Sequence, residues 1–583
     1  MIIASRDRIS INEDFKIAAG PGAGKTEFLV NHIKNVLENS DKLARTRKIA
    51  CITYTNTAVE TILERIGKSA SDKIEESTIH SFLYRNIVKP FCPFIPTNYK
   101  LCSKKVKGHE DFYINRNYLI EWLECEDFNG LKHPNSRNQI LKLPALYQAL
   151  QNWLFSAKCI YENEIPIFKC DNQKAFGYDK SGKRMGLNKS CLDILSYKII
   201  SLKKIYWRKG KLDHNDILYF SFVLIKQYPF ILEILRAKFP YMFIDEYQDT
   251  NPIQSFILNE MRKKETVVGV IGDKAQSIYS FQGAEPLLFE SFKVNNNHNH
   301  TICNNYRSAN QIVKLLNNIR NDIIQEPQGD MEDHEIIVLI GNRVMAYKRA
   351  CDLCNHEPVV SLSRDNITSN AMKKDIDDKN LDKKLLERYN HADGNRNRRT
   401  YVISFISAIE AAQNGAFKES IKSLERIFKN DESPKKAALF SLMEVSRCYN
   451  DYCSRPLMKF YDVLCQRVKP NLAGFGKGAA KDFYENTSYK EIAICMDIME
   501  DVSNHITIHK AKGAEYDNVL IVENKHLINF LLVPDLDNKE EHRVLYVAMS
   551  RAKKRLFLQL ENLSQDEEEG IKTKFNYLHF IRL

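Results

Sequence analysis

The chain has 583 residues, which is too long for one hydrophobic core and predicts about three to five domains. Its 85 Lys and Arg against 74 Asp and Glu give a formal charge of +11, a balance that favours a polyanionic partner. The 14 cysteines are scattered, which argues against a disulfide framework, and neither a signal peptide nor a run of roughly 20 apolar residues is visible, so we expect a cytoplasmic protein.

The first functional pattern lies between an apolar strand, expected from Phe15 to Ala18, and an amphipathic helix. It reads Ala19-Gly20-Pro21-Gly22-Ala23-Gly24-Lys25-Thr26. Glycines let backbone N–H groups turn towards phosphate oxygens, and the start of the helix favours anions. Lys25 is expected to neutralise the β and γ phosphates and Thr26 to bind Mg²⁺. Ala19 stands where the strict pattern has glycine, so a glycine-rich turn before a helix is the alternative.

A second strand, loop and helix follow over residues 48–66, and this alternation predicts a parallel sheet with ligand sites at the carboxyl ends of its strands. Residues 84–211 carry no phosphate motif and are interpreted as an inserted helical domain. Strands return at 241–244 and 267–271, each followed by acidic residues.

The second half of the chain predicts another, mostly helical insertion over residues 325–504, for example at 403–427. Three polar stretches predict irregular structure: flexible tracts at 373–384 and 390–399, and a solvated loop at 295–300. The last strands are expected at 518–522 and 555–558.

Two groups of side chains suggest metal chemistry. Asp245 and Glu246 follow a buried strand, where Asp245 would bind the metal and Glu246 would accept the proton of an attacking water. The alternative is two acids that merely solvate a strand end. Cys351, Cys354 and His356 could form half of a zinc site, but the sequence offers no convincing second half, which favours ordinary thiols.

The stretch that begins at Asp245 resembles motif II of the UvrD/Rep-like superfamily 1A DNA helicases. It reads Asp245-Glu246-Tyr247-Gln248-Asp249-Thr250-Asn251. Further matches follow in the family's order, at Thr53-Tyr54-Thr55-Asn56, Thr78-Ile79-His80-Ser81-Phe82, residues 272–284, Asn305-Tyr306-Arg307-Ser308, residues 507–515 and residues 545–553. An ordered set that spans most of the chain is far more specific than any one motif.

The resemblance implies an α/β fold with two RecA-like P-loop motor domains, each interrupted by a mostly α-helical insertion. The implied divisions are motor domain 1A over 1–83 and 212–300, insertion 1B over 84–211, motor domain 2A over 301–340 and 504–583, and insertion 2B over 341–503. The implied activity is ATP- and Mg²⁺-dependent movement along single-stranded or partly duplex DNA, in the 3′-to-5′ direction.

The resemblance also implies roles for individual residues around ATP. Gln276 would sense the γ-phosphate, Arg307 and Arg551 would act as arginine fingers, Tyr306 would stack on adenine, and Glu515 would help to bind the ribose or DNA side of the cleft.

On the DNA side, Thr55, Asn56, His80 and His509 would line the path of the DNA backbone, which we call the DNA track. Tyr279 and Phe281 would stack on bases, which is sequence-tolerant because every base has a π face. Without the motif, core packing of these two aromatics would be an equal alternative.

Several positions depart from the family pattern. No glutamine precedes the phosphate loop, Thr57 replaces a lysine, Gln282 replaces an arginine and Ala514 replaces a leucine. The first change weakens the case for adenine selectivity, and the next two remove positive charge near the expected DNA track.

The compact insertions resemble those of the helicase-like subunits of Gabija-type antiphage defence systems, which act beside an OLD-family nuclease. The missing glutamine and the changes at Thr57 and Gln282 leave room for an alternative to a translocase or helicase. That alternative is a regulatory subunit that senses nucleotide and DNA and controls a partner nuclease, with little unwinding of its own.

Overall fold

The computed structural model describes residues 1–583 except 44–45, 55–61, 63, 68–71, 110–113, 115, 126, 129, 180–182, 330–331, 377–380, 383, 498–502 and 523–524. The chain forms two compact units, each built from separate segments. The first comprises Met1–Arg307, Arg320–Gly329 and Leu536–Arg543, and the second Ser308–Ile319, Asp330–Asp535 and Val544–Leu583.

The first unit contains strands β1 to β12 and helices α1 to α12 among its described residues. The strands are β1 Phe15–Ala19, β2 Ile49–Thr53, β3 Ile74–Thr78, β4 Lys158–Glu162, β5 Ile165–Lys169, β6 Phe176–Tyr178, β7 Arg184–Gly186, β8 Tyr241–Ile244, β9 Val267–Gly272, β10 Asn299–Ile302, β11 Asn304–Asn305 and β12 Glu326–Pro327. The helices are α1 Lys25–Asn39, α2 Ile79–Leu83, α3 Lys89–Phe91, α4 Arg116–Cys125, α5 Arg137–Lys142, α6 Pro144–Phe155, α7 Lys189–Ser196, α8 Ile199–Trp207, α9 His214–Gln227, α10 Phe230–Lys238, α11 Pro252–Met261 and α12 Leu287–Ser291.

A six-stranded parallel sheet organises this unit, in the order β10-β1-β9-β8-β2-β3. Every residue of β2, β8 and β9 is buried, as expected for parallel strands that are covered on both faces. The carboxyl ends of β1, β8 and β9 therefore meet at one edge, where the glycine-rich loop and the acidic residues follow them.

The inserted segment of the first unit is not purely helical. Two antiparallel hairpins, β4 with β5 and β6 with β7, interrupt the helices. The expectation of a helical domain over 84–211 is corrected in this respect, because β5 buries every second residue, Pro166 and Phe168, which is strand spacing rather than helical spacing. Trp122, Trp153 and Trp207 are fully buried and anchor its core.

The second unit contains strands β13 to β18 and helices α13 to α26 among its described residues. The strands are β13 Ile336–Ile340, β14 Val359–Ser363, β15 His505–Thr507, β16 Tyr516–Val522, β17 Ala552–Leu560 and β18 Leu578–Arg582. The helices are α13 Asn310–Ile319, α14 Arg343–Leu353, α15 Asn366–Lys373, α16 Leu385–Ala392, α17 Arg396–Gln413, α18 Phe417–Glu425, α19 Pro434–Ser446, α20 Tyr449–Tyr452, α21 Leu457–Arg467, α22 Ala479–Asn486, α23 Tyr489–Ala493, α24 Lys525–Leu532, α25 Glu540–Met549 and α26 Gln565–Lys574. The first four residues of α25, Glu540–Arg543, belong to the first unit.

A second parallel sheet, in the order β15-β14-β16-β17-β13-β18, forms the base of this unit, and helices α16 to α23 form a separate hydrophobic cluster. The strands expected at 518–522 and 555–558 are confirmed within β16 and β17. The helical stretch expected at 403–427 consists of parts of two helices, α17 and α18, separated near Gly415, which has a left-handed φ of 81°.

Two of the polar stretches are more ordered than their composition predicts. The tract at 390–399 contains the end of α16 and the start of α17, because Asn395 caps α17 and Arg398 forms a buried ion pair with Asp393 at 2.6 Å. The loop expected at 295–300 ends early, because Asn299 begins strand β10, which pairs with β1. Part of the tract at 373–384 lies outside the described residues.

The thiols near residue 354 pack within the second unit. Cys354 is buried beside Ala346 and Ala350, and burial raises the pKa of Cys351 and of Cys354. Within the described ranges, no group of three or more His, Cys, Asp or Glu side chains could hold a metal ion.

Over the part of the chain that the structure covers, no single helix is both long and apolar enough to cross a membrane, although α9 and α10, bent by 108°, meet that test as a pair.

His32, on the buried face of α1, predicts a pH dependence of stability. Its ring stacks on Phe28 and meets Phe15 and Phe243 edge-on, and neither ring nitrogen has a hydrogen-bond partner among the described residues. Burial lowers the pKa of His32 to about 4, from an ordinary value of 6.5. The unfolded chain therefore binds the extra proton between about pH 6.5 and 4, so folded stability falls as the pH falls through that window, by up to about 3 kcal/mol.

We expect His32→Phe to reduce this dependence, as measured by urea unfolding from pH 4 to pH 7, while His80, whose pKa burial also lowers, continues to contribute to it. His579→Gln, at an exposed histidine on β18, is the control and should leave the dependence unchanged. A wild-type unfolding midpoint that does not change between pH 6.5 and pH 4.5 would contradict this account.

Candidate functional site

The glycine-rich loop joins β1 to α1 at the carboxyl edge of the first sheet. Gly22 and Gly24 have left-handed φ values of 69° and 80°, which side chains with a Cβ rarely adopt. A Cβ on Gly22 would also lie 2.6 Å from the Cβ of Arg307. The backbone is thus shaped as a cradle that only glycine can line, as phosphate binding requires.

Lys25 is the first residue of α1, and its ammonium group folds back onto the loop. Its Nζ donates to the carbonyl oxygens of Ala19 at 3.2 Å and Gly20 at 3.3 Å. Burial lowers the pKa of Lys25, and the carboxylates of Glu246, Asp273 and Asp245 partly oppose that shift. The lysine and the carboxylates therefore share one electrostatic environment. Thr26 follows as the second residue of the same helix.

Asp245 and Glu246 follow β8 directly. The backbone N–H of Asp245 donates to Ile52 at 2.9 Å, and that of Glu246 donates to the Asp245 carboxylate at 2.9 Å. Glu246 has φ of 54° and ψ of 42°, a left-handed conformation that is strained for a residue with a side chain. Such strain is typical of functional positions, where the surroundings hold a side chain at a fixed angle.

A buried polar network connects Glu246 to Gln276. Gln248 donates to the Glu246 carboxylate and accepts from the backbone N–H of Asp273 at 2.9 Å. The Asp273 carboxylate accepts from Gln276 at 2.7 Å and from Arg320 at 2.9 Å. The two acidic strand ends are therefore mechanically linked.

Sequence reasoning assigned no role to Gln248 or Arg320. Gln248 lies inside a motif, and its position there was the available signal. Arg320 lies between motifs, and it contacts Asp273 across 47 residues of sequence, so no local pattern could reveal it.

The stretch around Arg307 packs on the phosphate loop. Asn305 and Gln325 both donate to the carbonyl of Pro21, at 3.0 and 2.8 Å, and the backbone N–H of Tyr306 donates to Gly22 at 2.9 Å. We call Asn305 and Gln325 the loop clamp. The clamp satisfies the carbonyl of Pro21, and Tyr306 satisfies that of Gly22, so these two loop carbonyls already have donors. The ring of Tyr306 is 43% exposed, as a stacking surface for a base would have to be.

An aromatic group lies at the start of the expected DNA track. Tyr54 stacks on Tyr279 with ring centroids 4.4 Å apart, and its hydroxyl donates to Gln282. Tyr279 is only 8% exposed, whereas Phe281 is 53% exposed, so Phe281 is the more accessible of the two expected base contacts. Thr55, Asn56 and Thr57 lie outside the described residues.

The last segment of the first unit braces the loop that carries these aromatics. Arg543 donates to the carbonyl of Ser277 at 2.7 Å, and the backbone N–H of Ser280 donates to Glu540 at 3.2 Å. Sequence analysis missed this contact, because it joins stretches about 260 residues apart.

His80 lies in α2, within a group of three histidines. Ring centroids are 5.1 Å apart for His80 and His214, and 4.8 Å apart for His109 and His214. Burial, with the neighbouring histidines, lowers the pKa of His80 to about 3. At neutral pH this side chain is uncharged and offers hydrogen bonding rather than positive charge.

The second unit carries the remaining expected residues. Arg551 is buried, and its guanidinium donates to the carbonyls of Val547 at 3.1 Å and Ala514 at 3.4 Å. Glu515 lies 3.9 Å from the ammonium of Lys553. His509 follows the end of β15 and is half-buried. Arg551 thus ties two of the motif stretches of this unit together.

Two models of known protein families match this chain. Residues 5–297, half of the chain, match the UvrD/REP helicase N-terminal domain, and residues 414–562 match the UvrD-like helicase C-terminal domain.

Three relatives illustrate the similarity. Gabija protein GajB of Bacillus cereus is 26% identical over 54% of this chain and 48% of that protein. The ATP-dependent DNA helicase PcrA of Staphylococcus aureus is 23% identical over 93% of this chain and 80% of that protein, and the ATP-dependent DNA helicase Rep of Buchnera aphidicola is 27% identical over 52% and 40%. The chain thus matches about half the length of GajB and four fifths of PcrA. With its two parallel-sheet units and its family match over half of its length, the chain belongs to the UvrD/Rep-like family of ATP-dependent DNA helicases.

Proposed function

We propose that this chain uses ATP to move along single-stranded DNA in the 3′-to-5′ direction and to separate duplexes that it meets. The observation that supports this most directly is the convergence at one sheet edge of the phosphate loop, Lys25, the Asp245–Glu246 pair and the Gln276 network. In this proposal, residues 84–211 are the insertion of motor domain 1A. The insertion of motor domain 2A is the helical cluster from Leu385 to Met496. It is shorter than the expected 341–503, because β14 pairs with β15 and β16 in the second sheet.

The proposed chemistry is phosphoryl transfer to water. The loop N–H groups from Ala19 to Thr26 bind phosphate oxygens, and Lys25 neutralises their charge. Thr26 and Asp245 would hold Mg²⁺, which when bound neutralises phosphate charge. Glu246 accepts the proton of the attacking water, an assignment that fits its fixed, strained backbone.

The proposed arginine fingers are Arg307 and Arg551, which would stabilise the charge that develops on the transferred group. Tyr306 would stack on adenine, which its exposed ring permits, and Glu515 would bind the ribose or DNA side of the cleft.

ATP hydrolysis would be coupled to DNA through the loop at residues 272–284. Gln276 donates to the Asp273 carboxylate, and the backbone N–H of Asp273 donates to Gln248, which in turn donates to Glu246. The same loop carries Tyr279 and Phe281. A change at the γ-phosphate can therefore reach the base-stacking residues through fixed hydrogen bonds. Thr55, Asn56, His80 and His509 complete the proposed DNA track.

The test measures ATP hydrolysis with and without single-stranded DNA, using wild-type protein and Glu246→Gln. We expect DNA to stimulate the wild type, and the variant to bind ATP but not to turn it over. Partial duplexes with a 3′ or a 5′ single strand then report polarity. An absence of DNA stimulation, or undiminished turnover in Glu246→Gln, would refute the proposed motor.

Gln282 gives a prediction about grip on DNA. Gln282→Arg adds a positive charge at the edge of the aromatic group, so we expect tighter binding of single-stranded DNA. The salt dependence, log Kd against log salt, should steepen by about 0.7 for the added charge. Gln282→Ala is the matched control, because it removes the bond to Tyr54 without adding charge. An equal salt dependence of DNA binding in Gln282→Arg and wild type would show that this position does not face the DNA backbone.

The similarity to GajB favours a second candidate function. We propose that the chain also acts in antiphage defence, as the nucleotide- and DNA-sensing subunit of a complex with an OLD-family nuclease. Co-expression with such a nuclease and size-exclusion chromatography test this directly. A stable hetero-complex whose nuclease activity changes in Lys25→Ala supports sensing, whereas separate elution of the two proteins refutes the partnership.

A further inference from the structure

A cavity lies in the second unit, outside all of the helicase motifs. Its volume is about 400 Å³, and its walls come from α15, which follows β14 of the sheet, and from the helices α17, α20 and α23 of the helical cluster. This volume falls in the range of sites for small molecules, about 300–1,000 Å³.

One wall of the cavity is a built ion pair rather than mobile surface charge. The ammonium of Lys374 lies 2.7 Å from the Glu410 carboxylate and donates to the Tyr449 hydroxyl at 3.3 Å. The hydroxyl of Tyr489 donates to the other Glu410 oxygen at 2.9 Å. Glu410 is 3% exposed, and its negative charge is therefore already compensated.

Lys374 remains charged in this setting. Burial alone would lower the pKa of Lys374, but the attraction of Glu410 and the hydrogen bonds to Glu410 and Tyr449 outweigh it and raise the pKa. The pair fixes a cationic side chain and its neighbours in one geometry.

Two more lysines line the same space. The ammonium of Lys373 donates to the Asn370 side chain at 3.1 Å, and that of Lys490 donates to the carbonyl of Lys374 at 3.4 Å. Glu410 is the one acidic side chain among the described residues that line the cavity, against three lysines. The lining therefore carries a net positive charge.

We infer that this cavity binds a small phosphate-bearing anion. Ammonium groups bind phosphate as point charges with three donors each, and an ordered Lys490 on a short helix can supply them without moving the Lys374–Glu410 pair. The three lysines outnumber the one acid among the described lining residues, which favours an anionic ligand over a neutral one. The phosphate can come from a free phosphorylated molecule or from a nucleic-acid backbone.

The cavity lies where a ligand would join two parts of the same unit. The Asn370 side chain donates to the carbonyls of Ile494 at 3.0 Å and Met496 at 2.7 Å, so α15 is already tied to the end of the helical cluster. An anion held by Lys373 from α15 and Lys490 from α23 would strengthen that junction.

The test uses full-length protein with Lys25→Ala, which removes phosphate binding at the glycine-rich loop, and inorganic pyrophosphate as the probe in isothermal titration calorimetry. We expect pyrophosphate binding to persist in this background and to weaken by about tenfold or more when Lys490→Ala is added. Lys490→Arg should restore most of it, and Lys459→Ala, at an exposed lysine on α21, should have no effect.

A second arm titrates a short oligothymidylate into the same variants. If only the oligonucleotide depends on Lys490, the phosphate belongs to nucleic acid; if pyrophosphate also does, a free phosphorylated molecule is the ligand. The inference is overturned if neither affinity responds to Lys490→Ala. DNA-stimulated ATP hydrolysis of Lys490→Ala in the otherwise wild-type chain should be retained, so failure here is separable from failure of the proposed motor.

Discussion

Lys25→Ala is expected to lower the rate of ATP turnover by about 10²–10³-fold, because it removes the positive charge whose ammonium group lies against the phosphate loop. In the structure its ammonium group already lies against the loop carbonyls of Ala19 and Gly20, so little reorganisation would be needed to reach a phosphate. The measurement is steady-state hydrolysis at saturating single-stranded DNA.

The matched control is Lys34→Ala, at an exposed lysine on the same helix, which should retain full turnover. Circular dichroism of both variants checks that α1 is intact. Turnover in Lys25→Ala within threefold of Lys34→Ala would be incompatible with a nucleotide site at this loop.

Arg320→Ala is expected to cause a large loss of stability in the first unit. The Arg320 guanidinium binds Asp273 at 2.9 Å and Asp322 at 2.7 Å, and its side chain is 1% exposed. Removing one member leaves Asp273 as a buried, uncompensated charge, which costs about 3–5 kcal/mol. The thermal unfolding midpoint should fall by roughly 10 °C.

Arg320→Ala should also lower the DNA stimulation of ATP hydrolysis at temperatures where it stays folded, because Asp273 orients Gln276 at 2.7 Å. Arg6→Ala breaks an exposed ion pair with Glu27 and serves as the control, for which we expect no measurable change in midpoint. If Arg320→Ala unfolds at the wild-type temperature, the Asp273 network does not contribute to folded stability as expected.

The strand-end residues could be predicted because local rules determine their position. Once Phe15–Ala19 and Tyr241–Ile244 are recognised as parallel strands of one sheet, Lys25 and Asp245 must lie at the same edge. The family motifs then add an expected role for Gln276. The hydrogen bond from Gln276 to Asp273 is compatible with that role.

The loop clamp could not be predicted in the same way. Gln325 contacts Pro21 across 304 residues of sequence, and glutamine in a loop is ordinarily a solvated residue. The prediction of a flexible tract at 390–399 was wrong for a related reason. The composition of this tract is that of a flexible segment, but Asp393 and Arg398 neutralise each other's charge in a buried ion pair. Burial of a polar residue depends on its partner, and the partner is specified elsewhere in the chain.

The first unit is completed only by its third segment, Leu536–Arg543. During synthesis, a nascent chain that has not yet reached residue 536 already contains the phosphate loop, the acidic strand ends and the clamp. It still lacks Glu540 and Arg543, which hold the loop around Ser277 and Ser280. The phosphate loop, the acidic strand ends and the clamp can therefore be synthesised and fold on the ribosome before the aromatic loop is fixed.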